Sequence, residues 1–263
     1  EQWGRRSWAA QIRRANIWPD VAPDLWGEAF IYGLNERDRD SQPTPNRQYY
    51  APGFRLYSKP VTGQWDVDLE GSLRRGTRRA SSAASDQTDL DVRAAMLFGA
   101  VGYTFDAPWH PRLAFEYYYA SGDEDPNDDV FGQHERLFGA RRGDLNNTSI
   151  YGSLTPANLN APGARLQIKP HPRWDARFYY HAAFLASDTD RWVIAGLRDP
   201  TGQSGDFIGH TIDGRARYWV VPDRVRWEVG GSALIYGTFA KTVPGGPDGS
   251  QSFFAYTQLT IGL

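Results

Sequence analysis

The sequence predicts an all-β fold, an antiparallel transmembrane β-barrel with about eleven visible strands, and three observations carry that reading. Short, proline-rich breaks at residues 18–24, 60–63, 106–111, 170–173 and 222–223 take turns with long hydrophilic connections at 36–49, 76–88, 121–162, 187–206 and 241–251. Outer-membrane barrels show this asymmetry, with short turns facing the periplasm and long loops facing outward. Between the breaks, side chains alternate apolar and polar with period two, as a strand with two unlike faces requires. Aromatic residues make up 14% of the chain, with 10 Trp, 14 Tyr and 13 Phe, which suits the aromatic girdles at the two membrane interfaces.

Taken in order, the breaks delimit strands at about 5–17, 25–36, 50–59, 64–76, 88–106, 112–121, 162–170, 174–187, 206–221, 224–240 and 252–263. In the fourth, Trp65, Val67, Leu69, Gly71 and Leu73 share one face, and Asp66, Asp68, Glu70, Ser72 and Arg74 the other. The sixth sets Leu113, Phe115, Tyr117 and Tyr119 against Arg112, Ala114, Glu116 and Tyr118. The eighth sets Trp174, Ala176, Phe178 and Tyr180 against Asp175, Arg177, Tyr179 and His181. The ninth and tenth form a hairpin in which Arg215, Arg217, Arg224, Arg226 and Glu228 alternate with Ala216, Tyr218, Val225 and Trp227. The last places Phe253, Ala255, Thr257, Leu259, Ile261 and Leu263 on one face. Trp18, Trp26, Trp65, Trp109, Trp174, Trp219 and Trp227 lie in or near the short turns, as one interfacial belt would. A water-soluble sandwich shows the same alternation, so the tryptophans and the loop asymmetry make the distinction.

Composition bounds the rest. A mean hydropathy of −0.59 with 23% charged residues excludes any run of about 18 apolar residues able to span a bilayer as a helix. Cysteine is absent, so disulfides and thiolate metal sites are excluded. Residues 1–263 read as one domain. The chain starts at Glu1 without a start Met or signal peptide, as a mature form or a fragment does. Single-chain bacterial barrels have an even number of strands, so eleven points to a C-terminal part of a larger barrel, or to one miscounted strand.

The basic residues are 26 Arg and only three Lys, at 59, 169 and 241. Arginine's planar fork pairs carboxylates in a bidentate way, although an Arg-rich genome gives the same bias. Register points to function, because an arginine facing lipid at the midplane costs about 2–4 kcal/mol. Arg215, Arg217, Arg224 and Arg226 are therefore expected to face the lumen. Arg55, Lys59, Arg74, Arg93, Arg165, Lys169 and Arg177 are expected beside them, with Asp66, Asp68, Glu70, Asp91, Glu116, Asp175 and Glu228 as counter-charges. Rings of Arg and Lys select anions; the competing reading is a set of neutralised ladders that only keep the interior wet.

The connection over 121–162 is long enough to be functional. Its acidic start, with Asp123, Asp125, Asp128 and Asp129, could bind calcium, but without fixed ligand spacing a solvated loop is preferred. Its middle, Leu137-Phe138-Gly139-Ala140-Arg141-Arg142, mixes apolar anchors with a basic pair and could fold inward to narrow a pore or lie as a lid. No nucleophile elbow, HExxH or phosphate loop is present, and a lone lumenal His181 is a satisfied polar residue rather than a catalyst. Charge is balanced rather than segregated, which argues against nucleic acid as a partner.

Several motifs in order resemble the alginate export family of outer-membrane barrels. They are Gly102-Tyr103-Thr104-Phe105-Asp106, Pro111-Arg112-Leu113-Ala114-Phe115-Glu116-Tyr117, Ala120-Ser121-Gly122-Asp123, Leu137 to Arg142, Pro162-Gly163-Ala164-Arg165-Leu166, Arg173-Trp174-Asp175-Ala176, Arg198-Asp199-Pro200-Thr201-Gly202 and Arg217-Tyr218-Trp219-Val220-Val221-Pro222. The likeness is strongest over residues 89–263. It implies an 18-stranded barrel in the bacterial cell outer membrane, contacting outer-membrane lipid, that lets an anionic, alginate-like polysaccharide leave through an arginine-rich constriction without catalysis or cofactor. Periplasmic export components would be its partners. Onto that constriction the resemblance maps Arg141, Arg142, Arg215, Arg217, Arg224 and Arg226, and the inward-face reading adds Arg165, Arg177 and Glu228. The alternatives are an uptake porin for small anionic or aromatic solutes and a plugged, structural or enzymatic barrel.

Overall fold

Period-two alternation over successive segments of nine to sixteen residues, cut by tight turns, folds as hairpins that pair in chain order. The structure is a computed structural model describing residues 4–22, 24–38, 43–83, 85–137, 145 and 152–262. Its strands are β1 (Arg5–Arg14), β2 (Trp26–Glu36), β3 (Gln48–Tyr57), β4 (Trp65–Arg79), β5 (Asp89–Thr104), β6 (Arg112–Ala120), β7 (Val130–Phe131), β8 (Leu159–His171), β9 (Trp174–Phe184), β10 (Phe207–Val221), β11 (Val225–Tyr236) and β12 (Gln251–Ile261). All belong to one sheet, in which every neighbour from β1 to β12 is antiparallel except β7, a two-residue strand parallel to β5. β1 and β12 are its two edges.

Ten of the eleven expected segments therefore become single strands with ends moved by a few residues. The exception is the segment expected at 224–240. The strand stops at Tyr236, where Gly237 lies so close to Phe207 that a Cβ would come within 2.3 Å of its carbonyl oxygen. A short helix α1 (Thr238–Thr242) follows, burying Phe239 and Ala240.

Large apolar side chains stand exposed on one face. Phe115, Phe178, Ile212, Val229, Phe253 and Leu259 are all open, Phe115 and Phe253 at 69%. The opposite face buries Arg112, Glu116, His181, Asp213 and Glu228. A soluble protein rarely exposes a continuous apolar face of this size; a strand wall in lipid does, keeping its polar residues on the inner face.

At the long-connection end, the inner face is apolar and covered. Phe98, Tyr118, Leu159, Ile208 and Leu234 of the strands pack there with Leu145 and Leu154 of the 121–158 connection, Trp192 of the next one, and Phe239 and Val243 at α1. The covering segments are held by polar clamps. Asn158 donates to the Ser187 carbonyl at 3.0 Å and accepts from its amide at 2.7 Å, and Trp192 Nε1 donates to the Ser153 carbonyl at 2.8 Å. Asp199 accepts from the hydroxyls and amides of Thr201 and Ser204, which hold its carboxyl well below the usual range.

This layering corrects one expectation. Arg93 and Asp91 lie on the outer face as an exposed pair at 3.3 Å, because their neighbours Val92, Ala94 and Phe98 are the ones buried. Near the loop end the polarity of the two faces inverts, since the inner one is covered and the outer one is wet. Two of the seven turn-side tryptophans also leave the expected belt. Trp26 lines an inner pocket with Arg13, Glu28 and Arg55, and Trp219 shares its face with Arg226, whose guanidinium carbon is 5.6 Å from the indole centre.

Candidate functional site

Below the apolar layer the inner face of β6 and β8–β12 carries a band of charge. Register sets it. Arg177 of β9 stands directly opposite Arg215 of β10, and one row on, Arg217 stands opposite Asp175. Arg217 Nε donates to Asp175 Oδ1 at 2.9 Å, so that row is neutralised. The Arg177–Arg215 row places like charges directly opposite, an arrangement that destabilises a sheet. Among the described residues Arg215 makes a long contact with Glu228, 3.9 Å between Nη1 and Oε2, while the Tyr256 hydroxyl of β12 donates to Glu228 Oε1 at 2.7 Å. Gly230 makes room for that phenol; a Cβ there would sit 2.6 Å from the Tyr256 ring.

On the β6–β8–β9 side, Arg165 pairs with Glu116, and His181 Nε2 lies 3.7 Å from the other oxygen of the same carboxylate. Arg165 and Arg177 flank the Tyr179 ring at 4.6 and 4.9 Å from its centre. His181 fits only because Gly163 lacks a side chain, as a Cβ would lie 2.3 Å from the imidazole and 2.4 Å from the Tyr180 carbonyl oxygen. Nearer the short turns, Arg112 donates through Nε to Asp66 at 2.8 Å and through Nη1 to Gln167 at 2.8 Å. Arg55 likewise donates to Asp68 at 2.9 and 2.8 Å.

The band thus brings together Arg165, Arg177, Arg215, Arg217, Arg226 and Glu228. Arg224 is elsewhere: it lies exposed in the turn between β10 and β11 rather than on a strand. Arg141 and Arg142 fall outside the described residues. Two participants escaped the sequence reading, Tyr256 and Asp213, the latter accepting from the Ser232 hydroxyl; both stand at inward positions of strands already recognised. On β9–β11 four arginines (177, 215, 217, 226) face three carboxylates (175, 213, 228), and the Nε groups of Arg165, Arg215 and Arg226 are buried with no hydrogen bond among the described residues. The aspartates at 123, 125 and 128 accept from Gly132, Asn127 and Val130, respectively. Among the described residues no group of three carboxylates or histidines is placed to hold a metal ion.

An antiparallel sheet that exposes its apolar side and lines the other with charged side chains has the wall pattern of a transmembrane β-barrel. The chain belongs to the alginate export family, whose model, described as "Alginate export", matches residues 8–248, so the likeness extends through the N-terminal strands as well. That family comprises outer-membrane export channels and not enzymes. No curated protein matches the chain.

Proposed function

We propose that this protein is an outer-membrane channel that passes an anionic, alginate-like polyuronate along its arginine-rich inner face. The observation that carries the reading is the Arg177–Arg215 row. Cross-strand pairing normally sets opposite charges together, and a like pair on the lumenal wall is retained at a cost to the sheet. A passing carboxylate placed between two guanidiniums relieves that repulsion and can accept from Arg215 Nε, which is buried without a hydrogen bond among the described residues. The relief is partial, since lumenal water screens the charges within about 8–10 Å, so each uronate binds weakly enough to move on. Neighbouring Asp175 and Glu228 hold the remaining arginines in place and limit the depth of the well. Periplasmic export components and lipid contacts at the exposed aromatic face complete the proposal.

The test is the reversal potential of the full-length protein in a planar bilayer under a salt gradient. Anion preference is expected, together with current block by oligouronates. R177Q/R215Q is expected to lower both, and R224Q, in the turn, to change them little. A cation preference, or selectivity unmoved in R177Q/R215Q, overturns the assignment; block by monomers but not by oligouronates favours the uptake porin.

A further inference from the structure

A second cationic cluster lies away from the Arg177–Arg215 wall, on β1–β4. The buried Glu36 carboxylate pairs with Arg5 at 2.6 Å and with Arg47 at 2.8 Å. Beside it, Glu135 arrives from the connection after β7. Its carboxylate accepts from Arg78 Nη1 at 2.9 Å and from the Tyr49 hydroxyl at 3.0 Å, with Arg47 Nη1 at 3.7 Å. Arg74, 6% exposed, completes the set. Its guanidinium carbon is 5.4 Å from the Tyr49 ring centre, its Nη2 is 3.5 Å from His134 Nε2, and its Nε and Nη1 make no hydrogen bond among the described residues. Four guanidiniums therefore surround two carboxylates.

Glu36 belongs to the wall, whereas Glu135 belongs to a connection, next to His134, which is held by the Pro156 carbonyl. A cavity of about 390 Å³ opens against Glu135, with Arg55, Arg74, Arg136 and His134 on its wall beside Glu28 and Glu70, a volume within the range of roughly 300–1,000 Å³ typical of small-molecule sites. We infer that Arg47, Arg74, Arg78 and Tyr49 form a carboxylate-binding station for a hexuronate unit, that Glu135 occupies it as the chain's own stand-in, and that a cargo carboxylate entering the cavity displaces Glu135 and frees the segment around it. The inference rests on the polyuronate reading and adds a station and a regulation to it. The exchange is close to isoenergetic in charge-assisted hydrogen bonds, because one carboxylate replaces another on the same donors; the cost is the undocking of residues 133–137.

Residues 1–263 have no cysteine, so in a full-length protein with any cysteine outside them replaced by serine, R136C, exposed at the rim of the cavity, takes a single spin label. A mannuronate tetramer is expected to increase label mobility while it blocks the current, and a neutral oligosaccharide of equal length to do neither. E135Q and R78Q are both expected to raise the resting mobility. Only E135Q, which vacates the station and leaves its donors, should lower the half-blocking tetramer concentration, by about tenfold; R78Q should raise it. Block without a change in mobility overturns the station and leaves the export reading standing. Neither block nor mobility change overturns both, and mobility raised equally by the neutral oligosaccharide, or a half-blocking concentration that shifts alike in the two variants, reduces Glu135 to a structural anchor.

Discussion

At Gly163 the wall has no tolerance for a methyl group, because the added carbon would meet both the His181 ring and a backbone oxygen. Gly163→Ala is expected to cost about 1–3 kcal/mol, as overpacking does. At Gly99 a Cβ meets only Leu69 at 3.7 Å, so Gly99→Ala should leave stability nearly unchanged; the two are compared by thermal unfolding of the folded band in gel electrophoresis. A second residue titrates. Burial pushes the His134 imidazole down to about 4, with the Arg74 charge adding to the effect and the bond to the Pro156 carbonyl opposing it. Released, the same ring protonates near 6.5. In between, the released segment binds more protons, so docking is fully held above about pH 6.5 and is lost as pH falls toward 4. Arg74 and Glu135 are the charged groups beside it. A label at R136C should therefore gain mobility on acidification, and His134→Gln should remove that dependence. Residue by residue, the charged band on β9–β11 was legible because an arginine facing lipid is costly. Arg93 was misplaced because that rule lapses where the covered and wet faces exchange, and nothing local in the sequence marks the level at which they do.

At the scale of elements, strands and turns were readable because Pro-rich breaks and strict alternation are both local. The failures were tertiary. Residues 237–240 have strand-compatible composition, and only the close approach of Phe207 to Gly237 ends β11 and lets Phe239 turn into the apolar layer. β7 is two residues long and exists because β5 extends past the end of β6, leaving Asp91 and Val92 free to pair with Val130 and Phe131. The faces themselves make a prediction. Phe115→Arg, on the exposed face of β6, is expected to cost about 2–4 kcal/mol in a bilayer, whereas the neighbouring inward Ala114→Ser should cost less, as measured by urea titration in lipid vesicles. A smaller penalty for the phenylalanine change would mean that β6 does not face hydrocarbon.

For the molecule as a whole, membership of a family was legible from the order of motifs, while the position of the long connections was not, since no alternation governs them. Those connections share one apolar layer. Leu145 and Leu154, Trp192, and Phe239 with Val243 come from three segments well separated along the chain, yet they belong to one buried cluster with side chains of β5, β6 and β8–β11. Units that bury a common core open together. Amide hydrogen exchange across residues 152–158, 187–197 and 238–243 should then proceed at one shared rate, and Phe239→Ala should speed it at all three rather than at the helix alone. The long-connection end of this protein would behave as a single cooperative body, so that a signal received at any one connection is felt by the other two.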